Sequence, residues 1–213
     1  DQYEPIKISN AVKKLNLKHV VITSVDRDDL SDGGSNHFYN VVVATRKKNP
    51  NTSIEVLTPD FRAHKPSLQK VFDANPSIFS HNIECVRRIS KKVRPQSDWD
   101  RSLAVLKASV KWGLNTKTGM MVGLGETNDE VFKTMEQVAS LGVSIFTIGQ
   151  YLQPTKSHIP VDRYVTEKEF IDYKDIGYEL GFSVVESGPL VRSSYHADEQ
   201  ARLFSLKSER LFW

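Results

Sequence analysis

Short apolar runs rich in β-branched residues alternate along this chain with stretches whose apolar positions recur every three to four residues, and turn residues separate the two. A strand buried on both faces reads as a continuous apolar run, whereas a helix packing one side shows a period near 3.6. On that basis HVVITSV (19–25), SIEVLTP (53–59), SIFSHNIE (77–84), TKTGMMVGLG (116–125), SIFTIGQYL (144–152) and FSVVESGP (182–189) are predicted strands. The helical period covers 4–16, where Ile8, Val12 and Leu15 share a face, and returns over 36–49, 66–75, 98–113, 127–141 and 166–181. Thr127 opens one helix with Asp129 and Glu130 in its first turn, Thr166 and Glu169 form a capping box, and Gly113 and Gly142 act as stops. Such alternation predicts repeated βα units around a mostly parallel sheet, an α/β chain with a single domain over 1–213.

Composition narrows the function classes. A chain of 213 residues with 39% hydrophobic positions can bury one sizeable core. The 29 basic and 26 acidic residues leave a net charge of +3 with no long block of like charge, which argues against a nucleic-acid surface. No apolar run is long enough to cross a bilayer, and DQYEPIKISN has neither an apolar signal segment nor an Arg-rich presequence, so a cytoplasmic chain without a membrane partner is expected. The one cysteine, Cys85, excludes an internal disulfide or a Cys-rich metal site within these residues and reads as a small core or strand-end residue.

In βα arrays the ligand site lies at the carboxyl ends of the strands, so the residues after each apolar run carry the candidate chemistry. Here every run ends polar: TSVDRDD with Thr23, Ser24, Asp26 and Asp28, TPDFR with Asp60 and Arg62, HNIE with Asn82 and Glu84, GLGET, GQYLQPTKSH, and SGPLVRSSY. Taken singly, each is also explained by a helix cap, a solvated strand face or a surface ion pair; six together point to one polar mouth. Such a mouth suits a zwitterionic or nucleoside-bearing ligand. Asp26 and Asp28 match an ammonium, Asn82 and Glu84 match ribose hydroxyls, and the turn from Gly123 to Glu126 lets the backbone approach an adenine or a carboxylate closely. GLGET also resembles a phosphate turn, but it lacks a full nucleotide fingerprint, and Lys117 reads as a surface cation.

VVITSVDRDDLSDGG (20–34), IEVLTPDFR (54–62), HNIE (81–84), KKVRPQSDW (91–99), TKTGMMVGLGET (116–127), TIGQYLQPTKSHIPVDRYV (147–165) and GPLVRSSYHADEQA (188–201) together resemble the lipoyl synthases, a family of radical S-adenosylmethionine enzymes. The resemblance implies a partial, TIM-like (β/α)6 barrel without its first strand and N-terminal extension, and with 188–213 as a tail covering a cluster. It implies insertion of two sulfur atoms at C6 and C8 of a protein-bound octanoyl-lysine. The cofactors would be S-adenosylmethionine and two 4Fe-4S clusters, one of them the sulfur source. The partners would be octanoylated carrier domains, namely the glycine cleavage H protein and 2-oxoacid dehydrogenase E2, with ferredoxin or flavodoxin as electron donor; a eukaryotic source would place the chain in the mitochondrial matrix.

Residue by residue, the resemblance assigns Thr23, Ser24 and Asp26 to the methionyl end, Asn82 and Glu84 to the ribose, and Gly123, Leu124, Gly125, Glu126 and Gln150 to the adenosyl side. It makes Lys91 and Arg94 candidates for a carboxylate contact, and Ser194, with Ser193 as the alternative, an oxygen ligand of the auxiliary cluster beside Arg192. The family's two cysteine motifs have no counterpart here. Two further readings stand beside it: a cluster-free module that only binds S-adenosylmethionine or an acylated carrier, and a phosphate-handling barrel lyase with Lys117 as a Schiff-base amine.

Overall fold

All six apolar runs form strands in the computed structural model, which describes residues 1–194, 197–199 and 201. In chain order the elements are α1 (Glu4–Lys14), β1 (His19–Thr23), α2 (Ser35–Lys48), β2 (Ser53–Leu57), α3 (Lys65–Asp73), β3 (Ile78–Ser80), α4 (Arg87–Val93), α5 (Trp99–Trp112), β4 (Thr116–Val122), α6 (Asn128–Ser140), β5 (Ile145–Gln150), α7 (Glu167–Glu179) and β6 (Val184–Gly188). Every neighbouring pair of strands is parallel and the order is sequential, β1 through β6. Among the described residues β1 and β6 do not pair with each other, so the sheet curves as an open, partial barrel. Parts of the predicted 188–213 tail, residues 195–196, 200 and 202–213, lie outside the described residues.

Alternation along each strand divides the side chains between two faces. The outer face carries the apolar load. Phe146, Ile148 and Val185 pack against Met135, Val138 and Tyr173 from α6 and α7, while Ile54, Val56 and Phe79 pack against Phe38, Val42 and Val71 from α2 and α3. Most of these side chains are essentially inaccessible, and each contributes about 1.5–3 kcal/mol on burial. Toward its floor the inner face holds a small apolar group, Ile78, Ile145 and Val184, on which Ala201 rests.

The helix boundaries follow local chemistry. Thr127 and Thr166 both form complete capping boxes, with Glu130 and Glu169 reaching back to the cap backbone. Gly113 ends α5 at φ 90°, a conformation that glycine adopts without penalty. The strands are shorter at their carboxyl ends than the apolar runs, because the backbone turns out of the sheet into the polar segments. Glu84 at φ 70° and Gly123 at φ 93° mark two of these exits. Helix α4 is a feature the apolar pattern does not predict, since RRISKKV carries four cations and only two apolar residues.

Candidate active site

Polar residues from several strand ends line two adjoining cavities, while Gly123, Leu124, Gly125 and Glu126 line neither. The larger, about 440 Å³, is lined by Thr23, Ser24, Asp26 and Asp28 after β1, by Thr58 and Asp60 after β2, by His81, Asn82 and Glu84 after β3, and by Arg94, Arg101 and Ser102. The smaller, about 210 Å³, shares Asn82 and Glu84 and adds Gly119, Met121, Thr147, Gly149, Gln150, Leu152, Arg192 and Ser193. Of the residues assigned in the sequence, Thr23, Ser24, Asp26, Asn82, Glu84 and Arg94 therefore line one cleft, and Gln150, Arg192 and Ser193 line its neighbour. Lys91 lines neither; its ammonium donates to the Ser97 carbonyl at 2.6 Å, which holds the loop after α4. Ser194 is exposed and outside both linings.

Charge in the larger cleft is ordered by ion pairs. Arg94 sits 3.2 Å from Glu84 and 3.8 Å from Asp26, linking the ends of β1 and β3. Asp60 accepts from the Arg101 guanidinium at 2.6 Å, and Arg62 reaches Asp28 at 3.1 Å. Burial pushes the Glu84 carboxyl above its ordinary range, with the nearby Arg94 charge and a hydrogen bond from Asn82 opposing the shift. Glu84 also holds its left-handed backbone conformation without being glycine, a strain that sites of function commonly store. Asn82 lines both cavities, and its Oδ1 is buried near Gly119 with no hydrogen-bond partner within the chain, an orphaned acceptor.

His81 is a feature the sequence reading left unassigned. It is buried, its Nδ1 lies 2.9 Å from the Thr58 carbonyl and its Nε2 lies 3.0 Å from Ser102 Oγ. A carbonyl only accepts, so Nδ1 carries the proton and Nε2 accepts from the serine hydroxyl. Burial lowers the pKa of His81, outweighing the Thr58 bond, and keeps the ring neutral. The ring thus orients Ser102 on the cleft wall.

Three expectations change. The glycine turn after β4 does not offer its first amides to a phosphate or carboxylate ligand, because the Glu126 carboxylate already accepts from Gly123 N at 2.6 Å and Leu124 N at 2.9 Å. Gln150 is anchored rather than free: its amide donates to the Tyr151 and Arg163 carbonyls and accepts from Val165 N, tying β5 to the segment before α7. Lys117 is no surface cation. It is fully buried on the inner face, its Nζ 3.0 Å from Glu55, with His19 Nε2 3.6 Å from the same carboxylate. An inward strand position is invisible when both faces of the strand are buried, and the amine that a Schiff base requires is here enclosed and ion-paired.

The chemistry of the donor sets decides what the residues can hold. An orphaned amide oxygen, two carboxylates near one guanidinium, and hydroxyls at the rim fit a zwitterionic nucleoside such as S-adenosylmethionine. Iron–sulfur clusters are held by thiolates, and these 213 residues contain only Cys85. Burial raises its thiol to about 12, with Glu84 and Glu126 adding to the shift, and a single thiol does not make the ligand set of a cluster. Among the described residues there is no group of three or more His, Cys, Asp or Glu side chains placed to hold a metal ion, so these residues do not hold a cluster by themselves.

Fold and cleft together define an open, six-stranded parallel βα barrel with a polar cleft at the carboxyl ends of its strands. Solved structures with this fold include SuiB of Streptococcus suis (TM-score 0.66, 9% identity, 91% of this chain and 44% of that one) and HydG, a maturase of the FeFe-hydrogenase (TM-score 0.65, 14% identity, 94% and 52%). The model of the Radical SAM superfamily matches residues 2–138. The chain is 52% identical over 202 residues to the lipoyl synthase of Rubrobacter xylanophilus, covering 94% of this chain and 63% of that protein. It is 51% identical over 200 residues to that of Flavobacterium johnsoniae, covering 93% and 69%. The chain belongs to the Radical SAM superfamily and, within it, to the lipoyl synthase family. It spans under two thirds of the length of the Rubrobacter relative.

Proposed function

We propose that this chain is the S-adenosylmethionine-binding and acyl-substrate portion of a lipoyl synthase, acting on an octanoyl group carried by a protein lysine. The observation that supports it most is that Thr23, Ser24, Asp26, Asn82, Glu84 and Arg94, drawn from separate strand ends, line one cleft of about 440 Å³. Bound there, S-adenosylmethionine supplies the hydrogen-abstracting group of this family's chemistry. The chain's own residues would hold and orient it: Asp26 and Glu84 offer carboxylates to cationic or hydroxyl donors, Asn82 lines the wall beside them, and Arg94 fixes both carboxylates.

Arg192 and Ser193 line the adjoining cavity, where the octanoyl chain would enter beside Met121 and Leu152. The thiolates for two 4Fe-4S clusters are supplied from outside these 213 residues, and a hydroxyl of Ser193 or Ser194 is the oxygen this chain contributes to the auxiliary one. Octanoylated carrier domains are the protein partners, with ferredoxin or flavodoxin supplying electrons. No helix among the described residues is long and apolar enough to cross a membrane.

Equilibrium dialysis of S-adenosylmethionine tests the cleft. Asn82→Ala and Arg94→Gln are each expected to weaken binding about tenfold or more, the loss of one charge-assisted or buried hydrogen bond. Wild-type affinity in both variants refutes the assignment. When the cysteine ligands are supplied and the clusters loaded, conversion of an octanoylated carrier to its lipoylated form tests the activity, and S-adenosylmethionine cleavage with no lipoyl product refutes it.

A further inference from the structure

From the end of β6 to residue 194 the chain crosses the mouth of the sheet as a short strap. A turn closed by the Val191 amide on the Gly188 carbonyl (3.1 Å) begins it, and the Val191 side chain is buried. The strap's backbone lies on β5. Because Phe146 and Ile148 belong to the outer core, Thr147 and Gly149 look inward. A Cβ at Gly149 would fall within 3.0 Å of the Val191 carbonyl oxygen, 3.2 Å from that carbonyl's carbon and 3.4 Å from Arg192 Nη1. The Arg192 guanidinium donates to the same carbonyl at 2.7 Å. Gly149 is not among the glycines with positive φ, so its backbone conformation does not call for glycine, and the space does.

We propose that Gly149 is a positioning residue: its missing side chain is the seat on which the Val191 carbonyl rests, and through that seat the strap delivers Arg192 and Ser193 to the smaller cavity. The functional part of this inference rests on the proposed lipoyl synthase activity; the structural part does not. Gly188 provides an internal comparison. It lies opposite Gly149 in the β5–β6 register, yet a Cβ there would meet only Val191 Cγ2 at 3.5 Å, an ordinary contact. A backbone carbonyl cannot rotate out of the way as a side chain can, so alanine at 149 lifts the strap while alanine at 188 leaves it seated.

Hydrogen exchange of the peptide covering 189–194 reads the seat directly, with thermal melts confirming that each variant folds. Gly149→Ala is expected to exchange about tenfold faster there and Gly188→Ala within about twofold of wild type. No strap residue lines the larger cleft, so S-adenosylmethionine affinity is expected to change less than about twofold in both. In the cluster-loaded enzyme, Gly149→Ala is expected to cut lipoyl product about tenfold while 5′-deoxyadenosine formation stays within about twofold, a split that general destabilisation would not produce.

Unchanged exchange in Gly149→Ala, or equal damage from Gly188→Ala, overturns the proposal. If Gly149→Ala does not fold, Arg192→Gln decides: it leaves the seat intact and should raise exchange by less than about threefold, and a tenfold rise would make the guanidinium, not the glycine, the anchor. A wild-type enzyme that makes no lipoyl product refutes the proposed activity and leaves the exchange test of Gly149 standing.

Discussion

Replacing Lys117 by methionine keeps the volume of the side chain and removes its charge, leaving the Glu55 carboxylate sealed in the inner face with only His19 Nε2 at 3.6 Å. Both partners of the pair are fully inaccessible. At 3.0 Å and an effective dielectric constant near 20 the attraction is about 5 kcal/mol. Much of that offsets the desolvation of two ions, so the pair as a whole stabilises the fold little, whereas breaking it by removing one partner costs about 3–5 kcal/mol. For a domain of this size such a loss lowers the melting temperature by roughly 6–20 °C.

Glu55→Leu combined with Lys117→Met removes both charges, and this double variant should recover to within about 1 kcal/mol of wild type or exceed it. Urea unfolding and thermal melting followed by circular dichroism, on wild type, both single variants and the double variant, give the cycle. A Lys117→Met protein within about 1 kcal/mol of wild type would mean the amine is solvated, and a double variant no better than the single would mean the pair is not the cause.

Four further outcomes are expected. Cys85, buried and with its thiol raised to about 12, should resist iodoacetamide at pH 8 in the folded protein and react fully in denaturant; rapid labelling of the native chain refutes its placement. Thr127→Ala and Thr166→Ala should each cost about 1 kcal/mol in urea unfolding, with no change if the capping boxes do not form.

Glu130 and Glu169 are held down to about 2, the first mainly by Arg88 and the second mainly by the Thr166 amide. A depressed carboxylate stabilises the fold above its unfolded value near 4.5, and that contribution is lost as pH falls from there toward 2; acid melts of Glu130→Gln and Glu169→Gln should therefore show a deficit of about 1 kcal/mol each at pH 7 that vanishes below pH 2. Borohydride with a carbonyl substrate should leave Lys117 unlabelled, since the amine is enclosed against Glu55; labelling there would revive the lyase reading.

Much of the fold was legible because its signals are local. HVVIT and SIEVL announce strands by β-branched density, and Thr127–Glu130 and Thr166–Glu169 announce helix starts by the chemistry that satisfies free amides. The position of the cleft was legible through a rule of architecture: polar residues after parallel strands share one end of the sheet. What the sequence hid depends on facing and on partner choice. Lys117 and Thr118 are neighbours, both buried on opposite faces of β4, so no pattern tells which one enters the interior. Glu126 and Gln150 carry groups suited to a ligand, yet both spend them on the chain's own backbone. His81, flanked by polar residues, looked like a solvated position, and its contacts with Thr58 and Ser102 come from elements 21 to 23 residues away.

Asn82 and Glu84 belong to the walls of both cavities. Two occupants that touch the same pair of side chains would be coupled through them, because the first to bind restricts the conformations of Asn82 and Glu84 that the second meets. Linkage makes this reciprocal, so any factor by which the nucleoside changes affinity for the acyl group is the factor by which the acyl group changes affinity for the nucleoside. On the proposed function, the shared wall of Asn82 and Glu84 is where occupancy of one cavity would be felt in the other.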